Sequence, residues 1–389
     1  MIAALTAAGD RGNRVTLVER QARVGRKLLS TGKGRCNLTN MQTGTKHYHG
    51  GVEFADYALR EFPPEDTLSF FEGLGLLTTR EYGGRVYPLS NQANSVVDVL
   101  RFALERAGVS VLTGCAADSV RKSGGGFKVE CAGESLRADK LIVACGGCAG
   151  SKLGGVMDGY KILSSLGHSR TALYPALTQV RTDAAYPRAL KGVRADCRVT
   201  LLRGRRTLSQ RAGELLFTDT GVSGTVIFEL SRAVSSGGEG LELSMDFLPD
   251  MDENAVLRHL CTRRERAPEL PANQILVGAL HNRLGQMLCK YAGIGGDLTL
   301  AQLGEEQLRA VAGACGDFRM RVTGVSGFES AQVTAGGIRT DEFVPQTLES
   351  RLVNGLFACG EVLDVDGDCG GYNLQWAWSS GRLAGRLGK

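Results

Sequence analysis

No stretch of the sequence approaches the ~20 consecutive apolar residues of a transmembrane helix, so no membrane partner is expected. Met1–Ala8 is apolar, but no basic region precedes it and the charged stretch Asp10–Arg14 follows at once. It does not read as a signal peptide. Histidine is scarce, with only His47, His49, His168, His259 and His281. His47 and His49 could face one side of a strand, but an exposed loop is favoured over a metal site, and no metal is expected. There is no nucleophile elbow and no Ser/His/Asp constellation. Charge of one sign is also lacking: 46 basic and 41 acidic residues leave +5 over 389 residues, too little to argue for nucleic acid. Arg198, Arg203, Arg205, Arg206 and Arg211 cluster, but no aromatic residues interleave as single-strand binders require. That segment reads as a solvated hairpin, and no nucleic-acid partner is expected.

Cysteine is present but not in a framework. The eleven copies are an odd number and scattered, and only Cys145 and Cys148 lie close together. A disulfide scaffold is not expected, and a reducing cytosol is the default compartment. The Cys145-Gly-Gly-Cys148 motif has no second CxxC or His pair at ligand spacing, so buried packing is favoured over a redox or zinc role. Proline is sparse, with 9 copies against 53 glycines, which points to many tight turns and close backbone approaches. Apolar residues at 43% and charged residues at 22% describe a globular chain, and the length suggests two or three domains.

What is present begins in the middle of a pattern. Ile2–Ala8 reads as a short helix, Gly9, Gly12 and Asn13 as a turn, and Val15–Val18 as a buried strand ending in Glu19. This is the second half of a βαβ dinucleotide unit, in which an acidic residue about 20 positions after a glycine-rich turn bonds the ribose hydroxyls. Counting back from Glu19 puts the last glycine of that turn at or before Met1. The first strand and the G-x-G-x-x-G turn are therefore absent from this sequence, through a start codon placed late or a truncation. By itself Glu19 reads as a surface carboxylate at a strand end; in this context it is a ribose ligand. The following run, Gly25 to Asn40, interleaves glycines with Arg26, Lys27, Lys33 and Arg35, and adds Cys36 and Asn37. Cations, small residues and amides at that density suit a pyrophosphate and the polar edge of a flavin ring.

The run GRKLLSTGKGRCNLTN, together with the C-terminal GEVLDVDGDCGGYNLQWAWSSG, closely resembles the BaiN/YhiN-like flavoproteins, NAD(P)/FAD-dependent oxidoreductases. RVYPLSNQA, ELLFTDTGVSG and QVTAGG add to the likeness, which covers essentially the whole chain. The resemblance implies an α/β fold: a three-layer FAD-binding Rossmann-like domain of glutathione-reductase type. It also implies bound FAD, with NAD(P)H as a transient electron donor because no second dinucleotide fingerprint is visible. It assigns Ala144, Gly146 and Gly147, after the strand Ala138–Cys145, to the approach of backbone to the dinucleotide. It assigns Gly360, Glu361 and Asp364, after the strand Leu352–Cys359, to the pyrophosphate and ribitol.

Other segments read as helices at Asp66–Gly73 and Val96–Ala107, a strand at Val109–Thr113 and a turn at Ser123–Gly126. Strands follow at Leu177–Thr182, Val199–Leu202, Glu214–Thr218 and Leu241–Asp246, around a helix at Val226–Val234. Helical patterns then run through Asn254–Arg266, Asn273–Ala292 and Ala301–Ala314. The expected organisation is a discontinuous FAD-binding domain at 1–172 and 328–389, a β-rich insert at 173–252 and 316–327, and a small helical subdomain at 253–315. Gly370-Gly371-Tyr372-Asn373 leads into a last helix, Leu374–Leu387. Its start would present backbone N–H groups of Asn373, Leu374 and Gln375 to a reduced flavin, worth about 0.3–2 kcal/mol to a negative charge. The expected function is hydride transfer between FAD and a small-molecule substrate of enone or amine type. The alternatives are a non-catalytic remnant and an RNA-modifying flavoprotein.

Overall fold

The computed structural model describes residues 1–183 and 185–389. The chain divides into two compact units, one formed by Met1–Tyr174 with Gln332–Lys389 and the other by Pro175–Ala331.

The first unit joins the two ends of the chain. Thr16–Glu19 pairs in parallel with Ser110–Thr113, so Glu19 lies opposite Thr113. Leu141–Val143 pairs in parallel with Leu356–Ala358. Both members of the second pair are shorter than the apolar runs imply. Asp139–Lys140 separates Leu141 from an antiparallel strand, Glu134–Ala138, and Gly355 turns with φ 79° just before Leu356. The helix Ala93–Arg106 buries Val96, Val97, Leu100, Ala103 and Leu104, the spacing of one helix face. That face meets Leu28, Leu38, Phe71 and Trp378 in one apolar cluster. The last helix is Tyr372–Ala384, starting two residues earlier and ending three earlier than the sequence pattern suggests. It is nearly all buried, and its indoles are anchored: Trp378 Nε1 donates to the Leu38 carbonyl at 2.8 Å and Trp376 Nε1 to the Gly360 carbonyl at 3.1 Å.

Cysteine usage departs from expectation at one place. Cys115 and Cys131 form a disulfide with 5.8 Å between their Cα atoms. Cys131 ends the middle strand of a three-stranded antiparallel sheet, Ala117–Ser123, Gly126–Cys131 and Glu134–Ala138. A lone bridge leaves no spacing signature, so scattered cysteines could not reveal it.

The second unit is a closed six-stranded barrel with helices. Around the barrel the strands run Val180–Thr182, Gly221–Ser223, Arg206–Thr218, Arg194–Arg203, Leu241–Asp246 and Phe318–Val325. Closure follows from Val180–Thr182 pairing on both sides. Cys197, Val199 and Leu201 alternate inward along one strand. The helix Thr225–Gly237 buries Val226, Ile227, Leu230 and Val234. Helices Glu253–Arg266 and Glu305–Gly316 share one apolar core with the barrel, and the Asp252 carboxylate caps the first by accepting from Ala255 N–H at 2.6 Å. The helix expected over 273–292 is confined to Asn282–Tyr291, because Gly278, at φ 91°, interrupts it. A cavity of about 740 Å³ in this unit is lined by Asp246, Leu248, Val256, Tyr291 and Asp317 among others.

Candidate functional site

The first unit gathers glycines with unusual backbone angles at one set of loops. Gly32, Lys33 and Gly34 have φ of 56°, 57° and 86°, and Cys36 follows at 61°. Within this left-handed turn Arg35 N–H donates to the Gly32 carbonyl at 3.2 Å and Cys36 N–H to the Thr31 carbonyl at 3.0 Å, so backbone bonds close the loop on itself. Gly146 (φ 72°) and Gly147 follow the parallel strand Leu141–Val143. A Cβ on Gly147 would collide with the Thr334 hydroxyl and lie 2.9 Å from a Glu361 oxygen. Gly360 (φ 75°) opens onto free space, while a Cβ on Gly371 (φ 103°) would sit 2.6 Å from the Thr39 carbonyl.

Lys27 and Glu361 tie these loops together. Lys27 Nζ lies 2.6 Å from Glu361 Oε2, with side chains 34% and 18% exposed. Glu361 Oε1 accepts from Thr334 N–H at 2.7 Å, and the Thr334 hydroxyl accepts from Ala149 N–H at 3.0 Å. Thr334 is thus the bridge between the 146–149 turn and Glu361. Sequence reasoning gave it no role, although the QVTAGG run that contains it is part of the likeness. Glu19 Oε1 accepts from Gln21 N–H at 2.8 Å, and the Glu19 carbonyl accepts from Cys115 N–H at 3.0 Å. Arg26 is exposed and donates to Gln21 at 2.7 Å.

Other candidates stand differently from the sequence expectation. Arg35 is committed to the protein: it pairs with Glu81, donates to Asn91 at 2.8 Å and lies over the Tyr87 ring at 4.0 Å. The Cys36 side chain is in the apolar core, and burial pushes its thiol up to about 12, so no thiolate chemistry is on offer. Cys145 and Cys148 are not joined, and Cys148 is buried with Sγ 3.7 Å from the Thr334 hydroxyl. Lys33 and Ala144 are exposed. Asp364 is half-buried, its backbone N–H donating to Ile338 and its carbonyl accepting from Gly51.

Gln375 is a correction. Its backbone N–H donates to Gly371 at 3.0 Å, and its amide nitrogen donates to the Phe62 carbonyl, Thr67 and Ser379, each at 2.9 Å. Its amide oxygen accepts from the Thr39 hydroxyl. Fully buried and fully bonded, it fixes the helix and has nothing left for a ligand. The N–H groups without intrahelical acceptors at this end belong to Tyr372, Asn373 and Leu374. Asn373 uses its side chain on Gly367 N–H and carbonyl, at 2.8 and 2.7 Å. Asn37 Oδ1 is buried without a hydrogen-bond partner beside Gly371.

His47 and His49 are a second correction. They do not lie on an exposed loop: both bond Asp368, and His49 belongs to the strand Tyr48–Gly50, which pairs with Val365–Gly367. Among the described residues no group of His, Cys, Asp and Glu is arranged to hold a metal. No helix among them is long and apolar enough to cross a membrane.

A tight glycine-rich loop with the exposed cations Arg26 and Lys33, two glycine turns after parallel strands and a helix start, within one unit, fit an extended dinucleotide with a flavin ring. A family model described as the HI0933-like protein Rossmann domain matches residues 1–387. The chain is 38% identical over 391 residues to a 3-dehydro-bile acid delta(4,6)-reductase of Clostridium scindens, covering 99% of this chain and 95% of that one. It is 32% identical to a ribosomal RNA dihydrouridine synthase of Escherichia coli (96% and 91% covered) and 29% identical to one of Haemophilus influenzae (95% and 91%). With such relatives, the slight net charge does not exclude a nucleic-acid partner, and that expectation is withdrawn. The chain belongs to the HI0933-like family, the BaiN/YhiN-type Rossmann-fold FAD-dependent oxidoreductases.

Proposed function

We propose that this FAD-dependent oxidoreductase saturates a carbon–carbon double bond conjugated to a carbonyl in a small organic substrate, with NAD(P)H as a transient electron donor. The observation that carries this reading is the match over 99% of the chain to a reductase named for a bile-acid substrate. In this reading Glu19 bonds the ribose hydroxyls, while Ala144, Gly146 and Gly147 bring backbone against the dinucleotide. Arg26 and Lys33, which make no ion pair among the described residues, offset pyrophosphate charge beside the Gly360 turn, while Lys27, neutralised by Glu361, holds that carboxylate between the loops. The Asn37 amide lies at the ring's polar edge. The N–H groups of Tyr372, Asn373 and Leu374 favour negative charge on the reduced ring by about 0.3–2 kcal/mol. Bound FAD supplies a two-electron carrier that takes hydride from the donor and gives it to the substrate. The protein binds, orients and excludes water, so no protein nucleophile is required.

The test is flavin bleaching by NADH or NADPH, followed by reoxidation with a panel of steroid-like and simple enones beside amines. Rapid reoxidation by an enone, with the saturated ketone as product, is expected. Protein that binds no FAD, or whose reduced flavin no enone reoxidises, would overturn the proposal.

The two dihydrouridine synthases support a second reading, because the uracil C5=C6 bond is also conjugated to a carbonyl and its reduction is the same reaction class on a larger substrate. Under it, rRNA from cells lacking the protein would lose a dihydrouridine that the wild-type gene restores. Rescue of that base would favour RNA over the small enone.

A further inference from the structure

We propose that His47 is the proton donor that completes the reduction, with Asp368 and His49 as positioning residues; this rests on the enone reading above. His47 Nδ1 lies 3.1 Å from Asp368 Oδ2, and His49 Nε2 lies 3.0 Å from Asp368 Oδ1. An ionised carboxylate only accepts, so both contacts must be N–H donations. Neutral His47 therefore carries its hydrogen on Nδ1, which leaves Nε2 as the atom that takes up and releases a proton.

The unit is built onto the start of the last helix. The His47 ring stacks on Tyr372, the first residue of that helix, with centroids 4.3 Å apart and planes 16° apart. Asp368 N–H donates to the His47 carbonyl at 2.9 Å, and the Asp368 carbonyl accepts from Asn373 Nδ2 at 3.3 Å. Tyr48, between the two histidines, donates its hydroxyl to the Tyr372 carbonyl at 2.9 Å. His47, His49 and Asp368 have side chains 22%, 34% and 22% exposed, shielded yet reachable. The imidazole is thus fixed relative to the helix end that the proposed function places at the flavin. A buried structural cluster would have no open ring nitrogen.

The chemistry balances. Hydride from the reduced flavin forms a C–H bond at the β-carbon of the enone and breaks the π bond. The electron pair passes to the α-carbon and carbonyl oxygen as an enolate. The His47 imidazolium gives its Nε2 proton to the α-carbon, becomes neutral, and is reprotonated from water. The sum is one enone, one NAD(P)H and one proton giving one saturated ketone and one NAD(P)⁺.

The test reduces the holoenzyme without oxygen and follows reoxidation by an enone and by ferricyanide, which takes electrons and needs no carbon protonation. H47Q is expected to lower the enone-to-ferricyanide rate ratio by about 10²- to 10⁴-fold, the span of general-acid catalysis. H47N, whose amide nitrogen replaces Nδ1 but not Nε2, should behave alike and serves if H47Q does not fold. H49Q should lower the ratio by less than H47Q. Ring ¹⁵N spectra of histidine-labelled protein, with five histidines to assign, give a readout independent of turnover. D368N should move His47 and His49 from single tautomers to mixtures. An unchanged ratio in H47Q and H47N, or ring spectra indifferent to D368N, would overturn the proposal alone. Reduced wild-type protein that no enone reoxidises would overturn the parent reading, and this one with it.

Discussion

Replacing Gln375 by alanine separates a structural role from a cofactor-binding one. The side chain makes four hydrogen bonds, all buried, to Thr39, Phe62, Thr67 and Ser379. After truncation the Phe62 carbonyl keeps a donor, because Ser379 Oγ already reaches it at 2.7 Å. The Thr39 hydroxyl loses its acceptor and the Thr67 hydroxyl its donor. At about 1–3 kcal/mol for each of these two groups left unmet, the loss is about 2–6 kcal/mol. Both tryptophans of the chain, Trp376 and Trp378, sit on this helix, so urea unfolding followed by indole fluorescence reports on the first unit. With a slope of about 1–3 kcal/mol per molar urea, the midpoint should fall by about 1 M or more. The measurement is made without added FAD. A midpoint that stays put while FAD affinity drops would refute the reasoning and return Gln375 to the cofactor.

Gly147→Ala forces a methyl group onto the Thr334 hydroxyl and Glu361, and should cost at least tenfold in FAD affinity by titration. Thr334→Val should be milder, since it keeps the backbone N–H that Glu361 accepts and loses the hydroxyl's bonds to Ala149 N–H and Cys148 Sγ. Reducing Cys115–Cys131 removes a 16-residue cross-link worth about 3 kcal/mol, so the indole-detected midpoint should fall on adding a reductant, and C115A should no longer respond. Burial opposes charge on Asp368, but hydrogen bonds from His49 and His47 outweigh it and hold the carboxyl below its ordinary range. With the folded value depressed, its contribution is complete above about pH 4 and lost as pH falls below it. D368N should therefore flatten the acid limb of the stability–pH curve.

The parts of the fold that bury one face were legible. Ile2–Ala8, Thr16–Glu19, Ala93–Arg106 and Thr225–Gly237 lie where apolar spacing put them, within a few residues. What failed depended on distant partners. Six strands close a barrel only because Val180–Thr182 finds neighbours about 40 and about 140 residues away, and no local pattern encodes that return. At the site, glycines and cations could be read as types, but not their engagements. Arg35 and Lys27 look alike in a basic run, yet one is tied down by Glu81 and Asn91, and the other reaches Glu361 across 334 positions. His47, His49 and Asp368 meet for the same reason, through a two-strand ladder whose members are over 300 residues apart. The DGDCGG run was a signal for Asp368; nothing nearby in sequence pointed to its histidines.

The arginine hairpin bears on the choice between a small enone and RNA. Arg194 is paired with Glu214, Arg198 with Asp246 and Arg211 with Glu229, while Arg203 donates to the Gly237 carbonyl. Arg203, Arg205 and Arg206, at and beside the turn, make no ion pair among the described residues. A cation already neutralised by a carboxylate displaces little counterion from a phosphate, so the hairpin offers about three effective contacts, not six. A duplex-binding slope near −0.9 per contact then predicts a modest salt dependence from this element, about −3 in log–log form. If rRNA binding proves steeper than that, the additional cations must come from other surfaces. If it proves absent at low salt, the shared reaction class has been turned toward a small molecule, as the bile-acid relative's name describes for that protein.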